Sequence, residues 1–179
     1  MISKMINIYE YLLNKKNPKV NGIVEATNNN IRRLVWDAIK ENGIDADLNF
    51  IDTSKVTNMC SLFEYSDFCG DISRWDVSEV TDMDSMFHGA QMFNCDISEW
   101  DVRNVIVFEN MFNTAEVFNK PIGCWKTESA VKMRKMLYCA KKFNQDLSNW
   151  TVNKVNDNGL MFSGSGIGQR KEYWPKFLD

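Results

Sequence analysis

The sequence contains a single histidine, His88, and that scarcity removes several kinds of chemistry. A nucleophilic cysteine needs a base within hydrogen-bond reach, and zinc needs cysteine or histidine ligands paired at short spacing. None of the five cysteines forms a CxxC pair, and GSGIG at 164–168 lacks the lysine and Ser/Thr of a phosphate-binding loop. We therefore predict a protein that is not an enzyme and that uses no metal and no cofactor.

Long hydrophobic runs and a strong charge of one sign are also missing. No 18 apolar residues run together, and 21 Lys+Arg against 24 Asp+Glu leave a net charge of only -3. We expect no membrane span and no nucleic-acid partner. The opening MISKMINIYEYLLNKKNPKV does not match a signal peptide. An odd number of cysteines fits a reducing compartment, so we expect the cytoplasm or a similar location, with a surface or virion location left open.

The sequence does contain a 25-residue repeat. DISRWDV at 71–77 returns as DISEWDV at 96–102. Aligned on these strings, the repeats are 71–95, 96–120, 121–145 and 146–170, preceded by 47–70, which is one residue shorter. A period of this size indicates structural units that cannot bury their apolar side chains alone and must pack against their neighbours.

Large apolar residues occupy the same positions in successive repeats. The tryptophan column is Trp75, Trp100, Trp125 and Trp150, and the main phenylalanine column is Phe63, Phe87, Phe112 and Phe162, with Leu137 in the fourth repeat. Stacking the repeats would place the members of each column on one another and form a continuous core. Replacing one of these tryptophans should therefore loosen the whole domain.

Within each repeat we predict one short strand, one short helix and one loop. The V-x-x-M segments favour short strands paired in parallel, and segments such as DSMFHGAQMF favour a turn or two of helix. Before the repeats, NNNIRRLVWDAIKENG predicts an amphipathic helix, with Asn30 as N-cap and Gly43 as its end. Its apolar stripe is Ile31, Leu34, Val35, Ala38 and Ile39. We expect this helix to cover the open end of the first repeat.

These assignments divide the chain into four parts. Residues 1–27 form an N-terminal segment that is either flexible or a short helix ending before Pro18, and residues 28–46 hold the capping helix. Residues 47–170 hold the five repeats, and residues 171–179 form a C-terminal cap in which Tyr173, Trp174 and Phe177 close the last repeat.

The repeat pattern D-I-S-x-W-D-V-S-x-V-T-x-M-x-x-M-F resembles that of the BspA-like repeat proteins, a leucine-rich-repeat-like family of bacterial surface antigens and mycoplasma lipoproteins. DADLNFIDTSKVTNMCSLF at 45–63 is similar to the segment that opens their repeats. The resemblance covers residues 30–179. It implies a right-handed, leucine-rich-repeat-like solenoid with a parallel sheet, used for protein binding, and it supplies no catalytic residues.

The strand face of such a fold offers a candidate contact site. Between the apolar anchors most repeats have polar residues, but the third repeat has Ile106 and Val107, and the fourth has Val131 and Lys132. Exposed apolar patches often mark contact sites, but single exposed apolar residues are common, and the alternative is that Ile106, Val107 and Val131 only stiffen a strand. We take these four residues, with Arg134 and Lys135, as partner-binding candidates.

Charge is separated along the repeats. The second repeat is acidic, and the fourth is basic through Lys126, Lys132, Arg134, Lys135, Lys141 and Lys142. Such an arrangement can steer a partner or pair two molecules head to tail, or it can be an ordinary solvated surface. The aspartates Asp71, Asp96 and Asp146 could suggest a calcium ladder, but hydrogen bonding at corners of the chain explains them better, since calcium needs six or more oxygens.

We therefore expect a non-enzymatic protein-protein interaction module that presents a repeat-built strand face. Its partner would be a protein, and self-association stays open. The alternative is a structural or virion-type assembly component attached through its N-terminal segment.

Overall fold

A computed structural model describes residues 22–178. Its regular elements are β1 (Val24–Glu25), α1 (Ile31–Asn42) and β2 (Ile51–Asp52), with 3-10 turns at Ile122–Cys124 and Lys171–Tyr173. Strands β1 and β2 pair in parallel, with Val24 opposite Ile51. The sequence pattern did not predict β1. The expectations for residues 1–21, including the short helix before Pro18 and attachment to an assembly, lie outside the described residues, and the four-part division of the chain stays a prediction.

The amphipathic helix is confirmed as α1. Its buried residues are Ile31, Leu34, Val35, Ala38 and Ile39, the predicted apolar stripe. Gly43 ends the helix in the left-handed region (φ 96°), and its N–H donates to the Ile39 carbonyl at 2.9 Å. Asn30 precedes the helix but does not cap it, because its side-chain oxygen accepts instead from the Thr27 N–H at 2.7 Å.

Helix α1 is tied to the first repeat by a charged side chain. The Arg32 guanidinium donates to the carbonyls of Cys60 and Ser61, each at 2.8 Å. These carbonyls belong to the first repeat, which has no repeat before it. The Cys60 carbonyl is equivalent to that of Asp84, which accepts from the repeat before it, so Arg32 satisfies one acceptor that a preceding repeat would otherwise meet.

The predicted fold class, an α/β repeat in a right-handed, leucine-rich-repeat-like solenoid with a parallel sheet and a short helix in each coil, is wrong. The described residues hold one α-helix and one two-stranded parallel sheet, and the rest is mostly turns and irregular backbone. Where the V-x-x-M strands were predicted, neighbouring repeats meet at single-residue parallel bridges. These are Asn58 with Asp82, Asp82 with Val107, Val107 with Lys132, and Lys132 with Asp157.

The helix predicted over DSMFHGAQMF fails for a backbone reason. Ser85 and Gly89 both lie in the left-handed region, at φ 55° and 69°, which a right-handed helix does not tolerate. The N–H groups of Ser85, Phe87 and Gly89 point to the third repeat rather than to carbonyls of their own repeat. They donate to the carbonyls of Glu109, Met111 and Asn113 at 2.8, 2.9 and 2.8 Å. Apolar spacing alone could not reveal these bonds.

The same hydrogen bonds recur at every junction between described repeats. From the fourth to the fifth repeat, the N–H groups of Met133, Lys135, Leu137 and Cys139 donate to the carbonyls of Asp157, Gly159, Met161 and Ser163 at 2.8 to 3.0 Å. Left-handed residues fall at the same two positions in each repeat, for example Lys135 and Cys139 in the fourth. We call this series of turn-built, hydrogen-bonded units the repeat array.

The aromatic columns predicted from the sequence are confirmed as the core. The rings of Phe63 and Phe87 stack with centroids 5.4 Å apart, and those of Phe87 and Phe112 at 5.5 Å. Phe112 is fully buried, and Phe162 in the fifth repeat is buried to 3% exposure. Offset stacking of this kind adds to the large apolar area that each ring removes from water.

Each column tryptophan also makes a buried polar contact with the repeat before it. The indole N–H of Trp100 donates to the Ile72 carbonyl at 3.3 Å, and that of Trp125 to the Ile97 carbonyl at 3.1 Å. Trp75 and Trp150 repeat the contact at 3.0 and 2.9 Å. Since a buried indole N–H must be paired, these bonds fix the ring and link consecutive repeats.

The corner role of the repeated aspartates is confirmed. The carboxylates of Asp71, Asp96 and Asp146 accept from the backbone N–H two residues later, at 2.8, 3.0 and 2.8 Å. These backbone hydrogen bonds lower the pKa of each carboxyl group below its usual value. The turns are therefore more stable when the carboxylates are ionised.

Replacing Trp100 with alanine should lower the free energy of unfolding by about 3–5 kcal/mol, because it removes a buried ring and leaves a cavity. Trp36 on α1 is 40% exposed and serves as a matched control, with an expected loss below about 1 kcal/mol for Trp36→Ala. Urea denaturation followed by circular dichroism measures both. Equal losses for the two variants would contradict the assignment of Trp100 to the core.

The repeated aspartates predict a pH dependence of stability. Their folded-state pKa lies below the unfolded value of about 3.9, so the stability they contribute is complete above about pH 5. It is lost as the pH falls through the lowered pKa. A variant with Asp71, Asp96 and Asp146 all changed to Asn keeps a side-chain acceptor but cannot titrate.

The melting temperature of this triple variant should therefore fall less between pH 5 and pH 3 than that of the wild type. Thermal unfolding at both pH values measures the difference, and a melt at pH 7 checks that the variant folds. An identical fall for the two proteins would show that these carboxylates do not contribute.

Candidate functional site

Ile106 and Val131 line a shallow surface depression of ≈ 600 Å³ on the repeat array. The Ile106 side chain is 43% exposed, and Val131 is half-buried beside it. Thr81 occupies the equivalent position in the second repeat and lines the same depression. Two apolar candidates from the sequence, which belong to consecutive repeats, thus line the same depression.

The main-chain groups at the Ile106 position are engaged between repeats. The N–H of Ile106 donates to the Thr81 carbonyl at 2.8 Å, that of Val131 to the Ile106 carbonyl at 2.9 Å, and that of Asn156 to the Val131 carbonyl at 3.0 Å. A partner strand cannot pair with groups that are already bonded. Recognition at these positions must therefore depend on side chains.

The other four candidates lie elsewhere. Val107 and Lys132 are bridge residues of the repeat array and do not line the depression; Val107 is half-buried, and Lys132 is exposed. Arg134 lies against the fifth repeat, and Lys135 lies near Tyr138 of its own repeat. The Arg134 guanidinium lies 3.9 Å from an Asp157 carboxylate oxygen, and the Lys135 ammonium lies 5.8 Å from the Tyr138 ring centre.

A second column of residues in the depression was missed by sequence reasoning. Glu79, Asn104, Ser129 and Lys154 line it from four successive repeats, each 25 residues after the last. The column places an acidic side chain at one end of the depression and a basic one at the other. The 25-residue spacing would have revealed it, but only the residues after the valine column were considered as candidates.

Comparisons with known proteins place the chain in a family. A family model described as "Mycoplasma protein of unknown function, DUF285" matches residues 29–123 and again residues 64–174. Together the two matches span more than half of the chain. The chain belongs to this family. Searches with this chain found no match among the curated proteins and none among the solved structures.

The two matches of the DUF285 family overlap over residues 64–123, as expected for a model laid on a chain with internal repeats. They include every residue of the depression. The candidate surface is therefore built from the segment that defines family membership, and no residue of it comes from outside the matched region.

The one histidine of this DUF285 member is engaged by its neighbours. His88 Nδ1 lies 3.1 Å from a Glu64 carboxylate oxygen, and Nε2 lies 3.4 Å from the Tyr65 hydroxyl. The histidine is half-buried. Neither ring nitrogen lies within hydrogen-bond distance of a cysteine or serine in the described part of the chain.

Two cysteines, Cys60 and Cys95, sit in surroundings that favour the thiol. Burial raises the pKa of both thiols, and the Cys95 sulfur also lies 3.6 Å from an Asp71 carboxylate oxygen. The thiolate is the reactive form of cysteine. Within residues 22–178 no three His, Cys, Asp or Glu side chains gather into a group that could hold a metal ion, and no helix there is long and apolar enough to cross a membrane.

Proposed function

We propose that this chain is a BspA-like member of its family and a non-enzymatic protein-binding module, with the depression around Ile106 and Val131 as its contact surface. The observation that carries the proposal is the exposure of Ile106 beside Val131 at positions where the second and fifth repeats have Thr81 and Asn156. Exposed apolar side chains grouped in a concave, polar-rimmed surface are typical of contact sites.

The shape and charge of the depression suit a protein side chain better than a small molecule. The depression is open and shallow, whereas sites for small molecules enclose most of the ligand. An apolar side chain of the partner would contact Ile106 and Val131. Groups of opposite charge would meet Glu79 at one end and Lys154 at the other, which fixes the direction in which the partner lies.

The alternative role, a structural or virion-type component attached through its N-terminal segment, depends on residues outside those described. No contact within residues 22–178 favours it over a binding role. It stays a prediction from the sequence.

The variant Ile106→Asp tests the proposed surface. A charge at the centre of an apolar contact should weaken partner binding by about tenfold or more, since central contact residues carry most of the binding energy. Val117 is 40% exposed but does not line the depression, so Val117→Asp is the matched control. The partner is first captured from cell lysate with the wild-type chain, identified, purified and titrated by calorimetry against all three proteins.

Binding lost with Ile106→Asp and kept with Val117→Asp is the expected result. Both variants should melt within a few degrees of the wild type, because both side chains are exposed. A purified partner that binds Ile106→Asp as tightly as the wild type would show that the contact surface lies elsewhere.

A further inference from the structure

The fifth repeat ends the repeat array with an open row of backbone donors. At the preceding junctions the equivalent N–H groups donate to carbonyls of the next repeat. In the fifth repeat these positions are Asn158, Leu160, Phe162 and Gly164. No described residue supplies an acceptor to their N–H groups. We call these four residues the open edge.

The open edge keeps the backbone form that the internal junctions use. Leu160 and Gly164 lie in the left-handed region at φ 60° and 74°, and their counterparts Lys135 and Cys139 lie there at 52° and 54°. The donors of the open edge are therefore held in the same orientation as those of the fourth repeat, which bind main-chain carbonyls of the fifth. A ligand with matching acceptors would find them already arranged.

A pocket adjoins the open edge. It has a volume of ≈ 320 Å³ and is lined by all four edge residues together with Met161, Trp174 and Phe177. Leu160 is 52% exposed. The predicted C-terminal cap covers this end only in part: the Trp174 ring packs at 4.7 Å from that of Phe162, yet Trp174 and Phe177 stay half-buried at the pocket wall.

The part of the chain that holds the fourth and fifth repeats is positively charged. Residues 125–178 contain ten Lys and Arg against four Asp and Glu, whereas residues 22–124 contain seven against 18. Arg134 is 45% exposed next to the fifth repeat, and Arg170 lies 5.4 Å from the Tyr173 ring at the same end. A ligand for the open edge is therefore favoured if it is acidic.

We propose that the open edge binds an acidic, extended peptide segment of a partner protein. Main-chain carbonyls of the segment accept from the four edge N–H groups, and one of its apolar side chains enters the adjoining pocket. This surface is separate from the depression at Ile106, so the proposal goes beyond the function proposed above and does not rest on it.

Other occupants fit the observations less well. A small anion would meet only neighbouring donors, whereas the row extends over seven residues and at the internal junctions meets a run of main-chain carbonyls. Two open edges facing each other would oppose donors to donors. The first repeat of a second copy is an incomplete match, because Arg32 already holds its Cys60 carbonyl, one of the four in the corresponding row.

The probe is a fluorescein-labelled peptide with the sequence of residues 80–90, VTDMDSMFHGA. In the intact protein this acidic segment supplies four carbonyls to the first repeat, those of Asp82, Asp84, Met86 and His88. The control peptide is the equivalent basic segment, residues 130–140, AVKMRKMLYCA, with Cys139→Ser. Fluorescence anisotropy measures the binding of each to the full chain.

Leu160→Glu and Leu178→Glu form a matched pair of variants. Both leucines are exposed, at 52% and 68%, but only Leu160 lines the pocket. We expect saturable binding of the acidic peptide, weakened at least about tenfold by Leu160→Glu and less than about twofold by Leu178→Glu. The basic peptide should bind at least about tenfold more weakly than the acidic one.

Ile106→Asp should bind the acidic peptide as tightly as the wild type does, because Ile106 lies outside the open edge. A failure of the open-edge proposal can therefore be told apart from a failure of the proposed function. No saturable binding of the acidic peptide up to about 1 mM, or equal binding by Leu160→Glu, would overturn the proposal. So would equal binding of the two peptides. Concentration-dependent dimers in sedimentation that Leu160→Glu abolishes would identify a second copy as the occupant instead.

Discussion

The hydrogen bond from the N–H of one repeat to a carbonyl of the next is the interaction on which the rest of the structure depends. It directs main-chain groups out of their own repeat, so no repeat can satisfy its backbone alone. The bond also explains the left-handed residues, such as Ser85 and Gly89, because they turn successive N–H groups to the same side. Main-chain groups at both ends of the array then need partners other than a neighbouring repeat. Helix α1 and Arg32 cover the first repeat, whereas the fifth is covered only in part and its four edge N–H groups have no acceptor among the described residues.

This arrangement separates two kinds of surface. At Ile106 and Val131 the backbone groups are used between repeats, and the side chains are what these positions offer to a partner. Substitutions there can alter binding without disturbing the main-chain bonds. At the open edge the backbone itself is available. The two surfaces would therefore select partners by different chemistry, one by side-chain shape and charge and the other by main-chain carbonyls.

The sequence predicted the contents of the core well and its backbone poorly. Columns such as Phe87 and Phe112 follow directly from the 25-residue period, because residues in register must meet when repeats pack. The helix α1 follows from its apolar stripe and Gly43. The short helices and strands failed because periodicity records which side chains are buried, not where an N–H finds its acceptor. At the site, Ile106 and Val131 stood out as apolar exceptions, whereas Glu79 and Lys154 are ordinary surface charges that become notable only through their shared depression.

Amide hydrogen exchange measured residue by residue by NMR tests the central claim most directly. The account predicts strong protection at Ser85, Phe87, Gly89, Asn110 and Phe112, whose N–H groups donate to the next repeat, and fast exchange at Leu160 and Gly164, which lack that partner among the described residues. Comparable exchange at the internal positions and at the open edge would contradict it, since the hydrogen bonds between repeats would then not hold the array together.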